Sequence, residues 1–330
     1  VPESALFIFV IIFATGFALV NGLNDAANAI ATVISTRVLS PLRAVGMAAV
    51  LNFAGAATGT AVAIFIGTKI IDVGVLTQGY EIIFAALAAV IIWGVAATLL
   101  GLPVSISHGF IAGLVGAGFA AEGSGVIMWG GFGRVLSAVG IAPALGFAGG
   151  LVVMVGLYWI FRRTAPLRVE GLFSRLQILT AAFLAYSHGK NDGQMPIGII
   201  ALALMIHRGS EQLQIEPWMW ILSGSAIALG TAFGGWRVIR TLGTRITALR
   251  PVHGFAAQGS AAAVIEAASH FGIPVSTTHC ISASIMGVGA TKRLSAVRWG
   301  VAGNIILAWV LTFPICAGIG WLLVSFGELF

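Results

Sequence analysis

The sequence predicts an all-α polytopic membrane protein. It should hold two inverted-topology repeats with broken helices and re-entrant hairpins, about ten to twelve membrane segments in all. Three observations lead there. Of the 330 residues, 58% are hydrophobic and only 8% charged, with a mean hydropathy of +1.02, whereas a soluble domain carries about 25% charged residues. A polar pair, Asn-Asp, stands twice in otherwise apolar sequence, as Asn24-Asp25 and Asn191-Asp192. An ionisable group at bilayer depth costs roughly 2.5–3.5 kcal/mol on insertion scales, so it marks a substrate or ion path. Finally, much of the chain repeats. Leu102-Pro-Val-Ser-Ile-Ser-His108 matches Ile273-Pro-Val-Ser-Thr-Thr-His279, and seven of 17 positions agree between 102–118 and 273–289.

In chain order, Ala5 to Val20 is apolar without a basic n-region and reads as a membrane helix rather than a cleaved signal. The whole run 5–36 would be about 48 Å of straight helix, well beyond the ~30 Å hydrocarbon core. A break near Asn21-Gly22 is therefore expected. Gly59-Thr60-Ala61 recurs as Gly230-Thr231-Ala232 at an offset of 171, the Asn-Asp pairs recur at 167, and Leu136-Ser-Ala-Val139 returns at Leu294–Val297. The repeats divide at 1–161 and 176–330. The Arg-rich stretch 162–175 between them, with Arg162, Arg163, Arg168 and Arg175, reads as a cytoplasmic connecting loop. The 44 glycines suit close helix packing in lipid.

Loop charge sets the orientation. Loops 37–43, 162–175, 237–250 and 292–298 carry a net +12; loops 69–81, 122–134 and 208–216, which include Glu211, carry −2. The positive set should be cytoplasmic and both termini outside. Each half then crosses an odd number of times, which inverts one half relative to the other. Residues 82–121 begin and end outside and 252–291 begin and end inside, and their Pro-Val-Ser turns carry no charge. Two hairpins entering from opposite sides fit this better than two full crossings each, because irregular backbone at membrane depth is tolerated inside protein. The formal charge of +6 is scattered over these loops, so it argues topology and no nucleic-acid partner. Cys280 and Cys316 lie in apolar stretches with neither metal spacing nor a disulfide framework. Trp and Phe near segment ends read as interface anchors.

The chemistry centres on the repeated motifs. Pro then Ser or Thr ahead of an apolar run reads as a helix N-terminus. Free N–H groups and the positive dipole end suit an oxyanion there. Ser105, Ser107, Ser276, Thr277 and Thr278 add hydroxyl donors, although N-capping alone would also explain Ser and Thr at these places. Asp25 and Asp192 should coordinate a cation or carry a proton. Asn24, Asn28 and Asn191 would supply neutral oxygens, a set that suits a hard cation such as Na⁺. His108 and His279 either donate to the anion or bond a nearby backbone group. Gln194 can reach substrate. Lys190 either balances Asp192 or snorkels to the surface, the reading favoured here. Gln258 and Glu266 are polar residues in an apolar run, and Glu266 has no evident partner in sequence.

At Gly22-Leu-Asn-Asp-Ala-Ala-Asn-Ala29, His188-Gly-Lys-Asn-Asp-Gly-Gln194 and Pro274-Val-Ser-Thr-Thr-His279, the chain resembles the PiT family of inorganic phosphate transporters, which includes the SLC20 carriers. The short central loop is similar to the compact prokaryotic form. The resemblance covers essentially the whole chain. It implies cation-driven symport of phosphate through two inverted repeats, often as homodimers, with Asp25, Asn28 and Asp192 serving cation (Na⁺) and substrate and the Ser and Thr of both tips holding phosphate. Lys190 departs from the small residue common in relatives, and Gln258 falls near a position where some carry Glu.

The expectation is a secondary symporter of inorganic phosphate in the cell (inner) membrane, coupled to Na⁺ or H⁺ and without other cofactor. Sulfate or another tetrahedral oxyanion is an alternative substrate. A passive anion channel is disfavoured by the carboxylates, and an enzyme of lipid phosphates by the lack of a P-loop, zinc motif or nucleophile–base spacing.

Overall fold

The computed structural model describes residues 3–72, 79–210 and 212–327. Residues 73–78 and Glu211, both within loops used for the charge count, lie outside the described residues. The described residues form helices, with no β-strand and one isolated bridge, Ile71 to Ile127. Among the described residues, five helices are each long and apolar enough to cross a membrane, or six if one bent pair is a single span. The other helices are shorter or more polar.

The first half holds α1 (Glu3–Ser35), α2 (Pro41–Ala56), α3 (Ala61–Thr68), α4 (Gly79–Leu100), α5 (Ile106–Glu122) and α6 (Trp129–Phe161). The second holds α7 (Pro166–Asp192), α8 (Gln194–Arg208), α9 (Pro217–Phe233), α10 (Trp236–Arg240), α11 (Pro251–His270), α12 (Thr277–Ala290) and α13 (Trp299–Gly327). Packing obeys an exchange of halves. Hairpin α4–α5 lies against α13 and hairpin α11–α12 against α6, while α1 packs on α9 and α2 on α7. Small residues allow the closeness. A Cβ on Gly116 would sit 2.1 Å from the Ala317 carbonyl oxygen, and one on Gly287 would sit 2.1 Å from that of Phe147. Pro143 and Pro314 occupy matching places inside α6 and α13.

Two expectations fail here. α1 is one unbroken helix, about 50 Å long at 1.5 Å per residue, which must tilt or overhang the bilayer. Gly22 does not break it: a Cβ there would meet the Ile227 carbonyl oxygen at 2.2 Å, so this glycine serves the α1–α9 crossing. The breaks fall one segment later. α2 and α3 are bent by 66° across 57–60, and α9 and α10 are parted by Gly234-Gly235. The stretch 162–175 is not a loop either. Only 162–165 separates α6 from α7, because Pro166 opens a helix that Leu, Arg and Glu residues readily continue.

The loops sort by charge to opposite ends. At one end the Arg250 guanidinium pairs with Glu170 at 2.9 Å, Lys292 donates to the Ala248 carbonyl and Arg298 to that of Thr244. At the other, Ile71 bridges Ile127 and Leu213 lies beside Gly67. α1 links them, with Phe7 stacked on His207 near one end and Ser35 beside Gly243 near the other. Most indole rings at segment ends, such as Trp129, Trp159 and Trp299, are exposed, as anchors should be. Trp309 is not: it is buried and donates to the Pro103 carbonyl at 3.0 Å. Cys280 and Cys316 are free and buried.

Candidate functional site

The two hairpins turn beside exposed residues, Leu100 and Phe271, and the Pro-Val-Ser segments that follow are buried. Their tips use Gly101 and Gly272, with φ of +72° and +67°, values that L side chains rarely adopt. After each turn a serine caps the returning helix: Ser105 accepts from the His108 N–H at 3.2 Å and Ser276 from that of His279 at 3.1 Å. The capping reading therefore holds for both serines. It leaves the N–H groups just inside the caps without helical partners. The N-termini of α5 and α12 face each other, with the His108 and His279 rings 5.2 Å apart and His279 stacked on Trp309 at 4.1 Å. Neither histidine bonds a backbone carbonyl. All four ring nitrogens are buried without a partner.

Between these helix ends lie the two aspartates, at most 2% exposed. Ser107 donates to Asp192 Oδ1 at 2.5 Å and Thr277 to Asp192 Oδ2 at 3.1 Å; Thr278 donates to Asp25 Oδ1 at 2.7 Å. Both tips thus hold the carboxylates through hydroxyls, with the positive ends of two helix dipoles beside them. Asn28 reaches from α1 to Thr277 and Thr278 at 3.0 and 2.9 Å. Asn191 donates to Asp192 Oδ1 at 3.0 Å and to the Val275 carbonyl at 2.8 Å. Asn24 turns to Thr98 at 2.8 Å, on the first hairpin's outgoing arm. The acceptor oxygens Asn24 Oδ1 and Asn28 Oδ1 are buried and receive no hydrogen bond.

One residue was missed. His188 sits between the aspartates, its Nε2 3.0 Å from Asp192 Oδ2 and 3.9 Å from Asp25 Oδ2, with Nδ1 2.8 Å from Asn52 Oδ1. Asn52 in turn donates to Thr231 at 3.0 Å. The signal was available, because His188 stands four residues before Asp192 and so shares its helix face. Ligand atoms of Asp25, His188 and Asp192 all lie within 4.8 Å of one another. Carboxylate and amide oxygens suit Na⁺, whereas an imidazole suits transition metals. The oxygen donors alone are the set that fits the alkali cation.

Other expectations move. Gln194 does not face the cluster: its Oε1 accepts from the Val62 and Ala63 N–H groups at 2.9 and 3.3 Å and its Nε2 donates to the Thr58 carbonyl. It satisfies the start of α3 after the bend. Lys190 neither balances Asp192 nor extends free into solvent; it pairs with Glu266, which also accepts from Ser187. Each thus supplies the partner the other lacked. Gln258 is structural, donating to the Ala29 carbonyl at 2.8 Å.

Known proteins resemble this chain along nearly its whole length. The sequence model of the phosphate transporter family matches twice, at residues 21–169 and 162–320. A Rhizobium meliloti (strain 1021) protein described as "Probable low-affinity inorganic phosphate transporter" is 46% identical over 94% of this chain and 93% of its own length. A Bacillus subtilis (strain 168) protein of the same description is 40% identical over 96% and 95%. A solved structure of a sodium-dependent phosphate transporter superposes with a TM-score of 0.91 at 26% identity, covering 98% of this chain and 99% of that one. These relatives are transporters rather than enzymes, and this multi-pass membrane protein belongs to the phosphate transporter family.

Proposed function

We propose that this chain is a symporter of inorganic phosphate, coupled to Na⁺ or H⁺ and working by alternating access in the cell membrane. Both termini would lie outside and the turn at 162–165 in the cytoplasm. The orientation rests on the +12 and −2 loop sets and on their segregation to opposite ends.

One observation carries the coupling. Two carboxylates and the undonated Asn28 Oδ1 converge in a site that water does not reach. Two buried carboxylates side by side, with an amide oxygen that receives no hydrogen bond, call for a cation or a proton to offset their charge. The donors tell the complementary story. Ser107, Thr277 and Thr278 direct their hydroxyls at the aspartates, so phosphate and carboxylate compete for the same hydrogens. A cation held by Asp25, Asp192 and Asn28 would release those hydroxyls. Phosphate would then bind them together with the free N–H groups of both tips and one N–H from each of His108 and His279. Ser105 and Ser276 would shape the tips as caps, and Asn24 and Asn191 would hold α1 and α7 against the two hairpins. Cation first and anion second is the order this predicts. A carboxylate acceptor beside the anion favours protonated phosphate over sulfate, which has no proton to donate. The sodium dependence named for the structural relative favours Na⁺ over H⁺.

The test is calorimetric titration of the purified protein with phosphate at rising Na⁺ and, separately, at falling pH. Affinity for phosphate should rise with one of them, and affinity for that cation should rise equally with phosphate, as linkage requires. Phosphate affinity indifferent to both would reject the coupling.

A further inference from the structure

A cavity of about 280 Å³ lies at the positively charged end, where α6 stops, α7 starts and the two roots of hairpin α11–α12 emerge. Its mouth carries Arg162, Arg250 and Lys292 against a single carboxylate, Glu170. That carboxylate is already engaged: it accepts from Arg250 at 2.9 Å, with the two side chains 57% and 46% exposed. Arg162 stands 5.1 Å over the Trp159 ring, and Lys292 donates to the Ala248 carbonyl at 3.3 Å, with no carboxylate paired to it among the described residues. Lys292 gives up its proton more readily than usual, through burial and the nearby Arg250. Positive charge is therefore in excess here. The wall behind the cations is apolar, from Leu157, Phe161 and Val252. Trp159, Ile160 and Leu167, sequence neighbours of the lining residues, are 67%, 72% and 83% exposed.

An apolar wall open to the bilayer beneath a ring of cations has the complementarity of an anionic amphiphile. We propose that this cavity binds one anionic phospholipid, its phosphate between Arg162, Arg250 and Lys292 and its acyl chain along α6. A small soluble anion would use the cations but leave the apolar wall unfilled. The same cavity also fixes what the lipid would touch. Arg250 immediately precedes α11 and Lys292 follows α12, so a headgroup held there would join the two roots of one hairpin to α6. Its occupancy should then steady the α11–α12 hairpin on which Thr277 and Thr278 are carried.

Native mass spectrometry of the purified chain with phosphatidylglycerol and with phosphatidylcholine tests this. The wild type should retain one phosphatidylglycerol in preference to phosphatidylcholine. Arg162→Gln with Lys292→Gln should weaken that retention roughly 10- to 30-fold, the scale of two cations lost at a membrane surface. Glu170→Gln, which removes the competing carboxylate, should strengthen it and guards against a trivial loss from misfolding. Lys69→Gln with Arg134→Gln, cations at the other end of the molecule, should leave it unchanged. Equal retention of both lipids, equal loss in the two double variants, weaker retention in Glu170→Gln, or displacement of the lipid by inorganic phosphate alone would overturn the assignment.

Discussion

Removing one hydroxyl separates the two jobs assigned to the second hairpin tip. Thr278→Val keeps the side-chain shape and deletes Oγ1, which donates to Asp25 Oδ1 at 2.7 Å and accepts from Asn28 Nδ2 at 2.9 Å. Asn28 keeps its second acceptor, Thr277 Oγ1 at 3.0 Å, so the loss concentrates on Asp25. A hydrogen bond to a charged group contributes about 1.5–3 kcal/mol. The same hydroxyl is assigned to phosphate once a cation occupies Asp25, so phosphate binding should lose a bond of that size. At 1.4 kcal/mol per tenfold, phosphate KM should rise about 10- to 100-fold. Without phosphate the sign reverses: an Asp25 oxygen deprived of its donor accepts a cation more readily, so cation affinity measured alone should rise. Thr278→Ser should restore both values. The assay is uptake into proteoliposomes for KM and titration of the phosphate-free protein for the cation. A folded Thr278→Val protein whose phosphate KM stays within about twofold of wild type, or whose phosphate-free cation affinity falls, would refute the reasoning.

Three further outcomes follow from the packing and the charges. Asp192→Asn removes the negative charge and turns one of the two oxygens that accept from Ser107 and Thr277 into an NH2 donor; it should abolish gradient-driven uptake while leaving a folded protein, read by transport alongside size-exclusion profile. Gly116→Ala and Gly287→Ala each force a methyl to within 2.1 Å of a carbonyl oxygen on the neighbouring helix. Overpacking of this kind costs about 1–3 kcal/mol, so both should lower the unfolding temperature, whereas Gly130→Ala, with open space around it, should not. Glu266→Gln leaves Lys190 without its counter-charge at a site where the two side chains are 20% and 30% exposed. The cost should fall near 1–2 kcal/mol, between exposed and buried pairs, and the exchanged pair Lys190→Glu with Glu266→Lys should recover most of it in a thermal-unfolding assay.

Sequence patterns foretold the features that repeat and missed those that depend on a distant neighbour. The Pro-Val-Ser tips and the Asn-Asp pairs were legible because each occurs twice, and inversion was legible because loop charge alternates. The break in α1 was misplaced because length alone suggested one. Gly22 serves a crossing with α9, some 200 residues away in the chain, and no local pattern separates a contact glycine from a hinge. The real hinges, at 57–60 and Gly234-Gly235, carry ordinary turn residues. Gln194 is near Asp192 in sequence, which suggests the substrate, yet two residues along a helix is about 200° of rotation, and that turn carries it to α3. By the same rule His188, four residues before Asp192, had to share its face, and a helical reading of that motif would have found it. The Lys190–Glu266 pair joins α7 to α11 across 76 residues, a partnership only the fold reveals.

The measurement that bears most directly on the central claim is phosphate uptake into proteoliposomes with an inward Na⁺ gradient, an inward proton gradient or neither, for wild type and Asp25→Asn. The account predicts accumulation driven by one gradient and its collapse in Asp25→Asn. Equilibration that ignores both gradients and proceeds unchanged in Asp25→Asn would contradict it. It would make the protein a facilitator in which Asp25 only ties α1 to the second hairpin.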